Sequence, residues 1–275
     1  LLVSERRERI KEYLIEHRTA TAKALATMYN VSHETIRRDF AELEKEGFLT
    51  RSYGGASVNQ RVMSSLFSTA DRTRIVRSKK RTIVERVFPY LRPNDCIFID
   101  HSTTAATLCE VIRHIPLTVV TNSLLVINSL ANAPKINLNC TGGNYNSFHN
   151  AFFGPSTLDY IRSHKVDKAF VSCRTVHLDG GLFDNSELES ELRYCVIQNA
   201  SSTFLLVDNS KINRFSFVAT APIDAVDYMV TDEEVPSEWH NLSENLGMTI
   251  IDKDYVPNER ERHSVQSYAK PLVEP

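Results

Sequence analysis

Four short polar stretches stand directly behind apolar runs: Asp100-His101-Ser102-Thr103-Thr104 behind CIFI, Asn122-Ser123 behind LTVVT, Thr141-Gly142-Gly143 behind INLNC, and Asp208-Asn209-Ser210-Lys211 behind TFLLV. Hydroxyls, exposed backbone N–H groups and an ammonium are the donors that hold an anion such as a phosphoryl group. Taken singly, each stretch is ordinary turn chemistry, and Ser102 or Thr103 reads equally as the N-cap of a helix. The anion reading needs all four stretches on one edge. The carboxylates Glu187, Glu189 and Glu191 invite an acid/base reading, but i,i+2 spacing cannot put all three on one helix face. At a helix start they favourably meet the dipole.

A second constellation is VSHETIRRDF at positions 31–40. Ser32 is a helix N-cap and Gly47 a C′ residue, and Ile36, Phe40 and Leu43 recur as the buried stripe of the helix between them. Arg38 then points away from the core among Glu34, Thr35, Ala41 and Glu42, with Arg37 on the flank. The plain reading is a solvated face, with Glu42 four residues after Arg38. The chemical reading is DNA, with Arg38 at a base edge and Arg37 at a phosphate.

The elements around that helix favour DNA. Residues 4–17 predict an amphipathic helix capped by Ser4, with Ile10, Tyr13, Leu14 and His17 on one face. A shorter helix over Thr21–Met28 turns Ala22, Leu25 and Ala26 inward, and Asn30 tolerates a left-handed turn. FLTRSYGGASV alternates apolar and polar positions, so Gly54-Gly55 predicts a tight hairpin carrying Arg51 and Tyr53 toward phosphate or the minor groove. Together these are a helix-turn-helix with a β-wing.

The polar strand ends need a different scaffold. CIFID, LTVVT, INLNC, KAFVS, TFLLVD and DYMVTD alternate with helical segments, TTAATLCEVIRHI, SLLVINSLA and residues 187–199 among them. Such βαβ alternation predicts a mostly parallel sheet, and ligands collect beyond the carboxyl ends of its strands. The fold class is α/β: a small N-terminal winged helix-turn-helix domain and a larger C-terminal α/β domain.

Net charge runs from +2 over residues 1–61 and +5 over 62–87 to −9 over 88–275, which sets a polyanion-facing front against an acidic body. RTRIVRSKKR at 72–81 reads as a solvated, charged linker leading into a helix, with phosphate contact the second reading. From Ile75 to Leu91, Ile83, Val84, Val87 and Leu91 predict the first helix of the larger domain. No apolar run approaches the roughly 20 residues that span a bilayer, and the charged N-terminus lacks a secretory core, so a cytoplasmic protein without membrane partners is expected. The five cysteines, Cys96, Cys109, Cys140, Cys173 and Cys195, show no metal-ligand spacing, and buried reduced thiols are expected. No metal or cofactor is expected.

VSHETIRRDFAELEKEGFLTRSYGGA resembles the DeoR-type winged helix-turn-helix signature, through Ser32, Thr35, Ile36, Arg37, Arg38, Asp39 and the Gly-Gly-Ala wing. Asp100-x-Ser-Thr-Thr, Val120-Thr-Asn-Ser, Gly142-Gly143, Asp208-x-Ser-Lys211 and Val230-Thr-Asp232 are similar, in order and spacing, to the DeoR-type sensor domain. That domain is related in fold to ribose-5-phosphate isomerases and CoA transferases. The resemblance implies a phosphate loop of Ser102, Thr103 and Thr104, with Asn122 and Ser123 beside it. It makes Lys211 a cation near a sugar phosphate, and Asp100 and Asp208 the groups that orient hydroxyls or that lysine. Of the three glutamates it places only Glu189 near the ligand edge.

Two positions depart from the pattern. His101 stands where glycine is usual and reads as a packing residue or a new ligand contact. Cys173-Arg174-Thr175 replaces a small, glycine-containing run, and the Arg174 fork suits phosphate or carboxylate.

The domains expected are the winged helix-turn-helix over 1–58, a linker over 59–74, the sensor over 75–252 and a tail over 253–275. The function expected is a regulator, most simply a repressor of a carbohydrate-utilisation operon, binding double-stranded operator DNA with Ser32, Glu34, Thr35, Arg37, Arg38, Arg51, Tyr53, Gly54 and Gly55. A phosphorylated sugar or sugar acid would control it in a homodimer or homotetramer. The alternative is an isomerase-like enzyme with an accessory N-terminal domain. That reading requires a tuned general base, and no acid/base pair here has spacing that compels it.

Overall fold

The computed structural model describes residues 3–17, 19–52, 54–58 and 77–256, which divide between 75 and 76 into two units. Tyr53, the expected linker and the tail from 257 onward lie outside the described residues.

The first unit runs α1 (Val3–His17), β1 (Thr19–Thr21), α2 (Ala22–Tyr29), α3 (His33–Lys45), β2 (Leu49–Ser52) and β3 (Gly55–Val58). Ile10, Leu14, Leu25, Ile36, Phe40 and Leu43 form its core, as helical periodicity predicts. Ser4 lies inside α1 and not at its cap, α1 already including Val3. Thr21 caps α2, its hydroxyl accepting the Ala24 N–H at 3.1 Å, and Asn30 closes that helix at φ 53°. Ser32 caps α3 through the Thr35 N–H at 3.1 Å. At the other end of α3 the Phe48 N–H donates to Leu43 O and the Gly47 N–H to Glu44 O, both at 2.9 Å, which is a Schellman ending with Gly47 left-handed.

The wing is a three-stranded sheet in the order β1-β3-β2. Ser52 pairs with Gly55, so Gly55 belongs to the strand and not to the turn, where Gly54 stands. Its glycine is required elsewhere: a Cβ on Gly55 would stand 2.5 Å from the Ala20 carbonyl oxygen of β1.

The second unit opens with α4 (Arg77–Val87), β4 (Cys96–Ile99), α5 (Thr103–Ala106), α6 (Cys109–Ile112), β5 (Leu117–Thr121), α7 (Leu124–Leu130) and β6 (Ile136–Cys140). The hairpin β7 (Asn144–Asn146) and β8 (Ala151–Phe153) follows, then α8 (Pro155–Ser163), β9 (Val166–Val171), β10 (Thr175–His177) and β11 (Gly181–Asp184). The unit continues with α9 (Glu187–Asn199), β12 (Ala200–Leu206), β13 (Val218–Ala221), β14 (Tyr228–Val230), α10 (Ser237–Leu246) and β15 (Thr249–Ile251). Seven strands form one sheet in the order β15-β14-β12-β9-β4-β5-β6, and every pairing in it is parallel.

Alternation along each strand feeds two cores. Ile97, Ile99, Val119, Phe170, Phe204 and Leu206 pack with α4 to α7, whereas Phe98, Val120, Ala169, Val171 and Leu205 pack with α8 to α10. Both faces are buried, which is why these strands read as continuous apolar runs. Each fully buried Leu, Ile or Phe adds roughly 1.5–3 kcal/mol.

The expected single helix over TTAATLCEVIRHI is two short ones. The Thr107 hydroxyl donates to the Thr103 carbonyl at 3.0 Å, and the Thr107 and Leu108 amides shift to carbonyls three residues back, which interrupts the helix. The antiparallel sheet β10-β11-β13 carries no strong strand pattern in the sequence and is an addition of the tertiary structure. Among the cysteines, Cys109, Cys173 and Cys195 are buried, but Cys140 is exposed at the end of the edge strand β6, a correction to the uniform burial expected. Burial pushes the Cys109 and Cys173 thiols up to about 12.

Candidate functional site

In the first unit, α3 presents Arg37 and Arg38 outward as the stripe predicts. Arg38 Nε lies 3.8 Å from Glu34 Oε1, with side chains 79% and 64% exposed. The local partner is thus the glutamate one turn before, not Glu42, which takes Lys45 at 2.8 Å. Such exposed pairs release a guanidinium at little cost. Ser32, Glu34 and Thr35 share the exposed start of α3, Ser32 and Thr35 being tied by their hydroxyls at 2.8 Å. Arg51 is held to Glu44, Nε to Oε2 at 2.5 Å, which ties the wing to the end of α3. Gly54 supplies a left-handed residue at the wing tip.

Asp39 is the residue of this signature that sequence reasoning left without a role. It is 2% exposed and accepts Arg6 Nε at 2.6 Å and Arg7 Nε at 3.1 Å. It locks α1 onto α3. The signal was its register, three residues after Ile36 and four before Leu43, which places a carboxylate on the buried face and demands a cationic partner.

In the second unit, strand order reverses between β4 and β9, and that switch point is where an open parallel sheet leaves a crevice at its carboxyl edge. Asp100, at the end of β4, is 1% exposed; its Oδ1 accepts the Ser102 N–H at 2.8 Å and its Oδ2 the Ser172 N–H at 2.9 Å. It also takes Arg193 Nη2 at 3.3 Å, and Arg193 donates in turn to Asp184. Asp100 therefore positions Arg193, which the sequence did not single out, and not Lys211. Lys211 Nζ donates instead to Ser172 Oγ at 2.8 Å and to the Cys173 carbonyl at 2.9 Å. Burial would raise the Asp208 pKa, but the Lys211 charge and two Ser210 hydrogen bonds hold it below the usual value.

Lys80 joins the same edge. The basic stretch leads into α4 as expected, residues 77–81 beginning that helix, but Lys80 is not solvated: it is 7% exposed and donates to Thr103 Oγ1 at 2.9 Å. Residues 72–76 lie outside the described residues. Lys79 adds an ion pair with Asp232 at 3.8 Å. Arg174, just past β9, is half-buried; burial pulls its pKa down, and among the described residues no carboxylate lies within ion-pair distance of it.

Other expected residues have structural partners. Ser102 caps α5, accepting the Ala105 N–H at 3.0 Å, while Thr103 and Thr104 are buried beside it. Asn122 donates to the Phe152 carbonyl at 3.0 Å, and Ser123 caps α7. Gly142 and Gly143 both have positive φ, and a Cβ on Gly143 would stand 2.7 Å from Phe153 O. They let the chain pass close to β8.

His101 and Glu189 do meet. Both are buried, their closest atoms 3.4 Å apart, and His149 comes to the same Glu189 oxygen at 3.5 Å. Burial would raise the Glu189 pKa, yet contact with His101 and the charges of His101, His149 and Arg193 outweigh it and hold the carboxyl well below the usual range. Glu187 and Glu191 are exposed on other faces of α9.

A helix-turn-helix with a wing, carried in one chain with a parallel α/β unit, defines a DNA-binding transcriptional regulator with a sensor domain. Residues 6–62 match the DeoR-like helix-turn-helix domain and residues 76–233 the DeoR C terminal sensor domain. The chain belongs to the DeoR family of regulators.

The chain is similar to the uncharacterized HTH-type transcriptional regulator YulB of Bacillus subtilis, 32% identical over 84% of this chain and 90% of that protein. It is similar to the L-fucose operon activator of Haemophilus influenzae, 30% identical over 90% of this chain and 99% of the other. A putative aga operon transcriptional repressor of Escherichia coli O157:H7 is 28% identical over 90% of this chain and 93% of its own length. Among the described residues no helix is long and apolar enough to cross a membrane.

Proposed function

We propose that this regulator represses a carbohydrate-utilisation operon and that a phosphorylated sugar or sugar acid, bound at the sheet edge of the second unit, lowers its affinity for operator DNA. The observation that supports the reading is that Lys80, held to Thr103, and Lys211, held to Ser172, both stand at the carboxyl edge by the β4/β9 switch point, with Arg174 three residues beyond the end of β9. Three cations with hydroxyl donors suit a phosphoryl group. The names of the relatives, which regulate sugar operons, favour a sugar as its carrier.

On the DNA side, Arg38 reads a base edge, and Arg37, Ser32, Thr35, Arg51, Tyr53 and the Gly54-Gly55 wing hold the backbone, with Glu34 releasing Arg38 on contact. Two copies of the chain, as a homodimer or within a homotetramer, would read half-sites a fixed distance apart. The effector acts only if it binds the DNA-competent and incompetent arrangements with different affinity.

The test pairs a thermal-shift screen of sugar phosphates with gel shifts on the DNA upstream of the protein's own gene. A true effector at 100 times its dissociation constant stabilises the native state by about 2.7 kcal/mol. It is expected to release the operator, and Lys211→Met is expected to abolish both effects. A specific complex that no sugar phosphate alters would refute the effector, and the lack of any specific complex would refute the assigned operator.

A further inference from the structure

We propose that His101, His149 and Glu189 form a binding site for one divalent transition-metal ion, Zn2+ foremost. His101 Nε2 lies 3.4 Å from Glu189 Oε1, His149 Nδ1 lies 3.5 Å from that same oxygen, and the three ligand atoms are within 4.8 Å of one another. Both contacts exceed the span of about 2.7–3.2 Å for ordinary N–H···O hydrogen bonds, and charge-assisted bonds are shorter still. They match the edge of a coordination tetrahedron: metal–ligand bonds of about 2.0–2.1 Å set neighbouring ligand atoms roughly 3.3 Å apart.

The three residues come from three elements, the loop after β4, the turn between β7 and β8, and the first turn of α9. Their exposures are 3%, 8% and 8%. The surroundings fix their aim. Ser186 Oγ donates to Glu189 Oε2 at 3.2 Å, leaving Oε1 to face the imidazoles. The Phe153 ring packs edge-on against both imidazoles, at 5.2 and 5.3 Å between centroids, and Phe148 packs at 5.0 Å against His149. A ligand carboxylate oriented by a neighbouring hydroxyl is the outer-shell support that metal sites use.

The donor set selects the ion. Two imidazoles and one carboxylate suit Zn2+ and its borderline neighbours, whereas Ca2+ and Mg2+ demand six or more oxygens. Three protein donors leave one tetrahedral position for water or an oxygen of a small molecule. The site stands on these three residues alone and does not depend on the sugar-phosphate reading.

The experiment uses the full chain, stripped with a chelator, equilibrated with Zn2+ and analysed for bound metal, with Co2+ as the spectroscopic replacement. One Zn2+ per chain and visible Co2+ bands of tetrahedral intensity are expected. His149→Gln and Glu189→Gln are expected to weaken binding by about 100-fold or more, and Ser186→Ala by about 10-fold. Circular dichroism checks that each variant is folded. If the ligand variants do not fold, Ser186→Ala and the Co2+ spectrum of the unaltered chain decide. Absence of Zn2+ binding, a Co2+ spectrum of octahedral intensity, unchanged affinity in Ser186→Ala, or undiminished binding in folded His149→Gln would overturn the site.

Discussion

Replacing Asp39 by alanine removes the carboxylate that clamps α1 to α3. Asp39 is 2% exposed and the Arg6 side chain 8%, their atoms 2.6 Å apart, so the substitution strands a guanidinium where water cannot reach it. Breaking a buried pair from one side costs about 3–5 kcal/mol. Arg7, at 29% exposure, turns to solvent and adds at most about 1 kcal/mol. A unit of roughly 60 ordered residues has only about 3–9 kcal/mol of stability in total. Most of it would be lost.

Hydrogen exchange read by mass spectrometry on the full chain measures this locally. Amides of α1 and α3 are expected to exchange between about 100-fold and a few thousand-fold faster, with the central strands of the second unit unchanged. Adding Arg6→Met to Asp39→Ala is expected to recover part of the protection, because the stranded charge is gone. A change below about 1 kcal/mol in α1 and α3, or no recovery in the double variant, would refute a buried clamp.

Arg38→Ala is expected to change stability by no more than about 1 kcal/mol while weakening specific operator binding by about 1–3 kcal/mol in gel shifts; equal loss on unrelated DNA would reassign Arg38 to phosphate. Gly143→Ala places a Cβ 2.1 Å from Thr157 Oγ1 at φ +111° and should lower unfolding stability in urea by about 2 kcal/mol or more. Gly54→Ala meets nothing within 4 Å and, strained only by φ +83°, should lose about 1 kcal/mol. The folded Asp208 carboxyl lies below its ordinary value of 3.8, so its stabilisation is complete above that pH and is lost as pH falls through the folded value. Urea titrations between about pH 5 and pH 3 should therefore show a shallower acid loss in Asp208→Asn, and an unchanged slope would remove Asp208 from the account.

Periodicity alone reached Ile36, Phe40 and Leu43 as the buried face of α3, and with them the outward aim of Arg38. Local chemistry likewise reached the caps at Ser32 and Ser102, the Gly47 ending, and the apolar strands whose two buried faces make them continuous runs. These are consequences of neighbours within a few residues, which is what a chain carries in its own order. The wing strand β1 was not legible, since three residues acquire strand geometry only by pairing with β3. Lys80 looked solvated because the charge run hides which lysine the helix α4 turns inward.

Asp100 shows the limit most plainly: its type and place at a strand end marked it as polar-site chemistry, but its partners Ser172 and Arg193 lie 72 and 93 residues away. The sequence by itself determined the two-unit architecture, the family and the edge on which the polar groups would gather. Only the tertiary structure decided which of them touch, bringing Asp39 to Arg6, Lys80 to Thr103, and His101 with His149 to Glu189. Contacts between distant segments follow from sheet order and helix packing, and no local pattern encodes them.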